Sequence, residues 1–134
     1  MRRRHDLRDR RDDRGSAVVE FVLAGGLLVA LVLGVLQLGL ALHVRNALVA
    51  AAGEGARFAA LADRTLADGL ERTDALVAAS LGPGYAVESS ATITDWDGID
   101  VVRIDVAAPM PVLGLLGPSG LLEVTGRAPI ERPR

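Results

Sequence analysis

Residues 21–42 read FVLAGGLLVALVLGVLQLGLAL, 22 residues with no charge and one amide, Gln37. At about 1.5 Å per residue, a helix of that length spans roughly 33 Å, close to one bilayer hydrocarbon core. Leu, Val and Phe at the centre of such a run each favour insertion by roughly 0.3–0.6 kcal/mol, which together outweigh Gln37. A buried helix of a soluble protein is the competing reading. Such helices are usually shorter or carry a polar face, and a 134-residue chain has little material to surround this one. The run is also longer than the 7–15 apolar residues of a secretory signal peptide. The small-residue cluster Ala50-Ala51-Ala52 lies well beyond its end. The expectation is a membrane span.

The flanks give the span a direction. Residues 1–14, MRRRHDLRDRRDDR, hold seven Arg and four Asp, a net of +3, and cannot form a core. After the run only Arg45 precedes Arg57. The positive-inside rule then keeps the N-terminus in the cytoplasm and exports the residues C-terminal to the span. From residue 43 onward eight Arg face twelve acidic residues, a net of −4. The whole chain, at −2, is no globally basic nucleic-acid binder. With no Cys, it has no disulfide framework, thiolate metal site or Cys nucleophile.

The junction between leader and span reads Arg14-Gly15-Ser16-Ala17-Val18-Val19-Glu20-Phe21. An ionisable group at the start of an apolar span is costly and points to function. Snorkelling of Glu20 to the interface is the plainer alternative. Gly25, Gly26, Gly34 and Gly39 would permit close helix approach, although membrane helices also tolerate Gly without such a use.

Past the span the pattern changes twice. Residues 43–62 are Ala-rich and continue the helix to a junction near Asp63. Within them Glu54 and Arg57 sit three apart, where a solvated ion pair is expected. Leu66, Leu70, Thr73, Val77 and Leu81 recur at helical spacing up to Gly82-Pro83-Gly84. Strand-like runs occupy 85–94, 99–107 and 121–129, with Asp95-Trp96-Asp97-Gly98 as a hairpin turn, Pro109 and Pro111 closing the second run, a Gly-rich loop over 114–120, and a frayed tail Arg132-Pro133-Arg134. The expected fold is α+β: a long N-terminal transmembrane helix extending into an exported domain with a second helix and a small three-stranded antiparallel sheet. Its parts are a leader at 1–15, a span at 16–42 and an exported domain at 43–134, helical over 43–81 with strands within 85–130. A sheet that small is marginal alone and should pack on the helices.

Catalytic, cofactor and metal constellations are not expected. His5 and His43 have no spaced partners, and His43 reads as an interface residue. Asp95, Asp97 and Asp100 form an acidic cluster. It misses the EF-hand spacing, so turn chemistry is favoured over a cation site. Ser119, in Gly117-Pro118-Ser119-Gly120, does not match a nucleophile elbow, and the loop lacks the Lys of a P-loop.

Gly15 and Glu20 ahead of an apolar helix resemble type IV pilin-like precursors, and more narrowly the TadE-like family of the tight-adherence pilus system. A second likeness is Asn46 to Ala60, NALVAAAGEGARFAA, beside a family signature that commonly ends AAREGARxAA. Residues 121–127 look like the family's closing strand. The resemblance implies cleavage by a prepilin peptidase after Gly15, Ser16 as the new N-terminus, and Glu20 as the acid that sets register between subunits. Glu54, Gly55, Ala56 and Arg57 match the signature. It further implies a minor pilin or pseudopilin in the bacterial cytoplasmic membrane. The implied partners are the peptidase, other Tad pilins or pseudopilins, the assembly platform and membrane lipid, with no nucleic acid, no cofactor and no enzymatic activity. Two positions depart from the pattern. Gly25-Gly26 stand where many relatives have a Pro, and Gly53 replaces the Arg of REGAR, removing a positive charge from that face. The alternatives are a permanently anchored single-pass protein with an exported interaction domain and no leader removal, and, less supported by the residues, a membrane-anchored hydrolase.

Overall fold

The computed structural model describes residues 6–85, 87–110 and 120–130, with side chains from Gly15 onward. Helix α1 runs Asp6–Ala59, helix α2 Leu66–Leu81, and then come strands β1 Glu88–Trp96, β2 Ile99–Pro109 and β3 Leu121–Pro129. The chain divides into two compact units, 1–38 and 39–134. The fold is α+β, with one long apolar helix near the N-terminus that could span a membrane.

In the first unit α1 is helical without a break through Gly15, Glu20 and the apolar run. No residue of its most apolar window is buried within the chain, with Phe21 at 78% and Leu27 at 74% exposed. A Cβ added to Gly25, Gly26 or Gly34 would meet nothing within 4 Å. An exposed apolar surface of this extent calls for a lipid or protein environment.

The second unit is built from the C-terminal part of α1, then α2 and the sheet. On α1, Val44, Leu48, Ala51, Ala52, Ala56 and Ala59 recur at three- and four-residue steps, and all are buried. That stripe is mainly Ala, so the helix backbone lies close to its neighbours. The helix closes at Ala59. A turn with Leu61 N–H donating to Phe58 O and Arg64 N–H to Leu61 O then leads to Thr65.

Thr65 caps α2 through a reciprocal box. Asp68 N–H donates to Thr65 Oγ1 at 3.2 Å, and Thr65 N–H donates to Asp68 Oδ2 at 2.8 Å. These bonds occupy donors that a helix start leaves open. Asp68's carboxyl is held below its ordinary value, chiefly by the hydrogen bond from the Thr65 backbone. At the other end Gly82, at φ +101°, turns the chain, and its N–H donates to Ala78 O. The buried face of α2 is Gly69, Thr73 and Val77, with Leu66, Leu70, Leu76 and Leu81 packed at its margins.

The sheet is antiparallel in the order β1-β2-β3. The expected hairpin is present and tighter than the four residues suggested. Trp96 pairs with Ile99, which leaves Asp97 (φ 53°) and Gly98 (φ 79°) as a two-residue turn. Two successive positive φ values match the twist of the flanking strands, and Asp-Gly suits them. β1 therefore extends to Trp96 instead of Thr94. It starts at Glu88 instead of Tyr85, because Tyr85 N–H is drawn back to Gly82 O in the turn after α2. β2 also runs two residues further than expected, with Pro109 paired to Leu121.

One face of the sheet carries Val102, Ile104, Val106 and Ala108 of β2 and Val124 and Ala128 of β3, all in one buried cluster with the α1 stripe and Val77. Burying an aliphatic side chain of this size is worth roughly 1.5–3 kcal/mol. The marginal sheet is thus held by the helices, as its size required. Residues 111–119, with Pro111, Ser119 and all but Gly120 of the expected Gly-rich loop, lie outside the described residues, as do 131–134 with the expected tail, His5 and Arg2 to Arg4.

Candidate assembly site

The residues singled out in the sequence fall in two places. Ser16 and Glu20 are four apart on α1, hence on one helix face, and both are exposed. Val19, Leu23 and Leu27 share the surface around them. Among the described residues nothing hydrogen-bonds or pairs with Glu20. Its carboxylate thus stands exposed at the edge of an apolar surface. Gly15 and Ser16 lie within the helix, where Gly is less favourable than Ala by about 1 kcal/mol.

The second place is the signature Glu54-Gly55-Ala56-Arg57 near the end of α1. Its four residues separate by role. Arg57 Nη2 lies 3.1 Å from Glu54 Oε2, and both side chains are exposed, so this is the solvated ion pair that the spacing led one to expect. Ala56 is fully buried. Gly55 faces α2: a Cβ there would run into Thr73 Oγ1, lie 2.7 Å from Gly69 O and 3.2 Å from Ile104 Cδ1. Gly53, two residues earlier, would place a Cβ in open space at 4.0 Å from Arg57 Nη1. The sequence pattern GEGAR thus combines a helix-crossing point with an exposed charge pair, and its first Gly is not part of the contact.

Sequence reasoning missed the partners of that crossing. Gly69 is the reciprocal glycine on α2, and Thr73 Oγ1 donates to Gly69 O at 2.8 Å, which satisfies a buried hydroxyl one turn later. Gly126 of β3 lies against the α1 backbone at Ala52 and Gly53, where any side chain would collide. The available signal was a Gly inside an otherwise regular helix or strand, which usually marks close backbone approach. Tyr85 was also missed as a latch: its hydroxyl donates to Pro109 O at 2.6 Å, and burial raises its pKa.

In the acidic cluster at the hairpin, Asp97 occupies the turn and Asp95 bonds to it. Asp95 Oδ1 accepts from Gly98 N–H at 3.1 Å. Among the described residues no group of three or more His, Asp and Glu is placed to hold a metal ion.

The outer face of the sheet carries a polar constellation. Arg103 Nε lies 2.8 Å from Asp105 Oδ2, and Thr125 Oγ1 donates to Asp105 Oδ1 at 2.5 Å. Burial alone would raise the Asp105 carboxyl. The hydrogen bonds from Arg103 and Thr125, with the charges of Arg103 and Arg127, outweigh it and leave the pKa below its ordinary value. The Arg127 guanidinium stacks over the Trp96 ring at 4.5 Å.

Comparison with known proteins agrees with the resemblance seen in the sequence. Residues 15–57 match the family model described as TadE-like protein, and they contain both the Gly15–Glu20 junction and the Glu54–Arg57 signature. No curated protein matches the chain. No solved structure matches it.

Proposed function

We propose that this chain, TadE-like over residues 15–57, is the precursor of a minor pilin or pseudopilin that acts in assembling or priming a Tad-type pilus. A prepilin peptidase cuts it between Gly15 and Ser16 on the cytoplasmic side of the membrane. The chain is the peptidase's substrate and not itself an enzyme. Its N-terminus is cytoplasmic, its apolar helix spans the cytoplasmic membrane once, and its C-terminal unit is exported. Its partners are the peptidase, other Tad pilins or pseudopilins, the assembly platform and lipid.

The observation that carries this reading is the placement of Ser16 and Glu20 one turn apart at the head of an exposed apolar helix, inside the matched segment. Cleavage would leave an ammonium at Ser16. An ammonium on one subunit and the Glu20 carboxylate on its neighbour neutralise each other where neither is well hydrated. Such a pair would fix the axial register of packed helices, much as a buried polar residue fixes register in a coiled coil. The low helix propensity of Gly15 eases the local opening that the peptidase needs.

Replacing Glu20 tests the role directly. Glu20→Ala should insert in the membrane and be trimmed, yet fail to enter the assembly. Incorporation of Glu20→Ala at the wild-type level would refute the register role. If both wild type and variant keep the leader beside an active peptidase, the precursor reading itself falls.

A further inference from the structure

The outer face of the sheet has a charge pattern that complements itself, and we infer that it binds the same face of a second copy of this chain. Three successive rows cross the strands. Thr92, Arg103 and Arg127 align in the first, Ser90, Asp105 and Thr125 in the second, and Glu88, Ala107 and Glu123 in the third. The first row carries two arginines side by side. The third carries two glutamates on the outer strands. Between them Asp105 is already engaged by Arg103 and Thr125. Rows along a strand repeat every roughly 6.6 Å, so the basic and acidic rows stand about 13 Å apart.

Like charges opposite one another on neighbouring strands are unfavourable, and here Arg103 and Arg127 are direct cross-strand partners. Among the described residues the only carboxylate beside them is Asp105, bonded to Arg103, while Arg127 stacks over the Trp96 ring. Among the described residues no helix or strand covers this face, and Arg127, Glu88 and Glu123 are exposed. Around Glu88, Glu123, Ala107 and Asp105 the surface is hollowed into a shallow groove.

A two-fold axis lying along the middle row brings the basic row of each copy onto the acidic row of the other. Arg127 then faces the other copy's Glu123, and Arg103 lies over the other copy's Ala107 between its two glutamates. A two-fold axis along the strands would instead set arginine on arginine and glutamate on glutamate, so the charges choose between the two packings. Sheets stack at about 10 Å with strands near parallel or antiparallel, which allows this arrangement.

The face measures about 30 Å by 14 Å, so the contact buries on the order of 800 Å² in all, below the roughly 1,000 Å² of a stable free-standing interface. It therefore operates where copies are already concentrated, as when tethered in one membrane or assembly. The inference does not depend on leader removal.

The test uses the full chain in membranes. It contains no Cys, so single introduced thiols report cleanly. Ser90→Cys, on the axis row, should cross-link to itself with a bis-maleimide spanning about 10 Å. Ser80→Cys, exposed on α2, should cross-link several-fold less. Adding Glu123→Arg, a side chain with no partner inside the described chain, should lower the Ser90→Cys dimer yield at least about fivefold, as should Arg127→Glu. Combining Glu123→Arg with Arg127→Glu on one chain exchanges the two signs and should restore the dimer. Equal yields from Ser90→Cys and Ser80→Cys, insensitivity to Glu123→Arg, no restoration in the combined variant, or Ser90→Cys cross-linking mainly to a different protein would each overturn the inference.

Discussion

Gly55 of α1 and Gly69 of α2 meet backbone to backbone: a methyl on Gly55 would lie 2.7 Å from the Gly69 carbonyl oxygen, and one on Gly69 would lie 2.8 Å from that of Gly55. Neither oxygen can move without opening its helix. The crossing also brings Thr73 and Ile104 within reach of the same point, so helix and sheet depend on it together. Gly55→Ala should therefore destabilise the C-terminal unit by about 1–3 kcal/mol through overpacking. Gly53→Ala, two residues earlier in the same motif, enters open space and should be neutral or stabilising by up to about 1 kcal/mol from helix propensity. Both are readable from thermal unfolding monitored by the fluorescence of Trp96, the chain's single tryptophan.

The same helix serves two environments, and identical substitutions should separate them. Leu48 is completely buried against the sheet, whereas Leu36 is 56% exposed in the apolar run. Leu48→Ala should cost about 2–5 kcal/mol of fold stability, the range for truncating a core leucine. Leu36→Ala should leave denaturant unfolding of the C-terminal unit unchanged, because it removes contact with the surroundings of the apolar run and none within that unit.

Asp105 gives the outer face a pH dependence. Its carboxyl titrates lower in the folded chain than the ordinary value of 3.8, so its stabilising effect is complete above that value and is lost as pH falls through the folded one. Asp68 at the α2 cap shifts in the same direction and adds to the effect. In acid unfolding curves Asp105→Asn should flatten the loss of stability below about pH 4. Wild-type steepness in that variant would mean that the bonds from Arg103 and Thr125 do not favour the charged form.

The boundaries of the elements and the logic of the motif were legible to different degrees. The long helix, the stop at Gly82, the Asp-Gly hairpin and the third strand arise from apolar runs, Gly-Pro breaks and alternation, all local patterns. The start of β1 was not legible in this way, because Tyr85 continues the alternation of the strand while its backbone is held by the turn to Gly82. In the signature, the ion pair of Glu54 and Arg57 could be read from spacing. The purpose of Gly55 could not, since its reason is Gly69, fourteen residues away on another helix. Gly126 is a longer case of the same kind: its neighbour is the α1 backbone at Ala52. Close approach of two backbones leaves only a glycine in each sequence, with nothing to say which glycines meet. The cross-strand row of Arg103 and Arg127 was equally hidden until the register was known.

Cleavage at Gly15 is central to the proposed role, and the N-terminus of the protein recovered from membranes tests it most directly. In a host with an active prepilin peptidase, intact mass and N-terminal sequencing should show a chain beginning at Ser16, with the seven leader arginines gone. A chain from the same membranes that still begins at Met1 would contradict the precursor role.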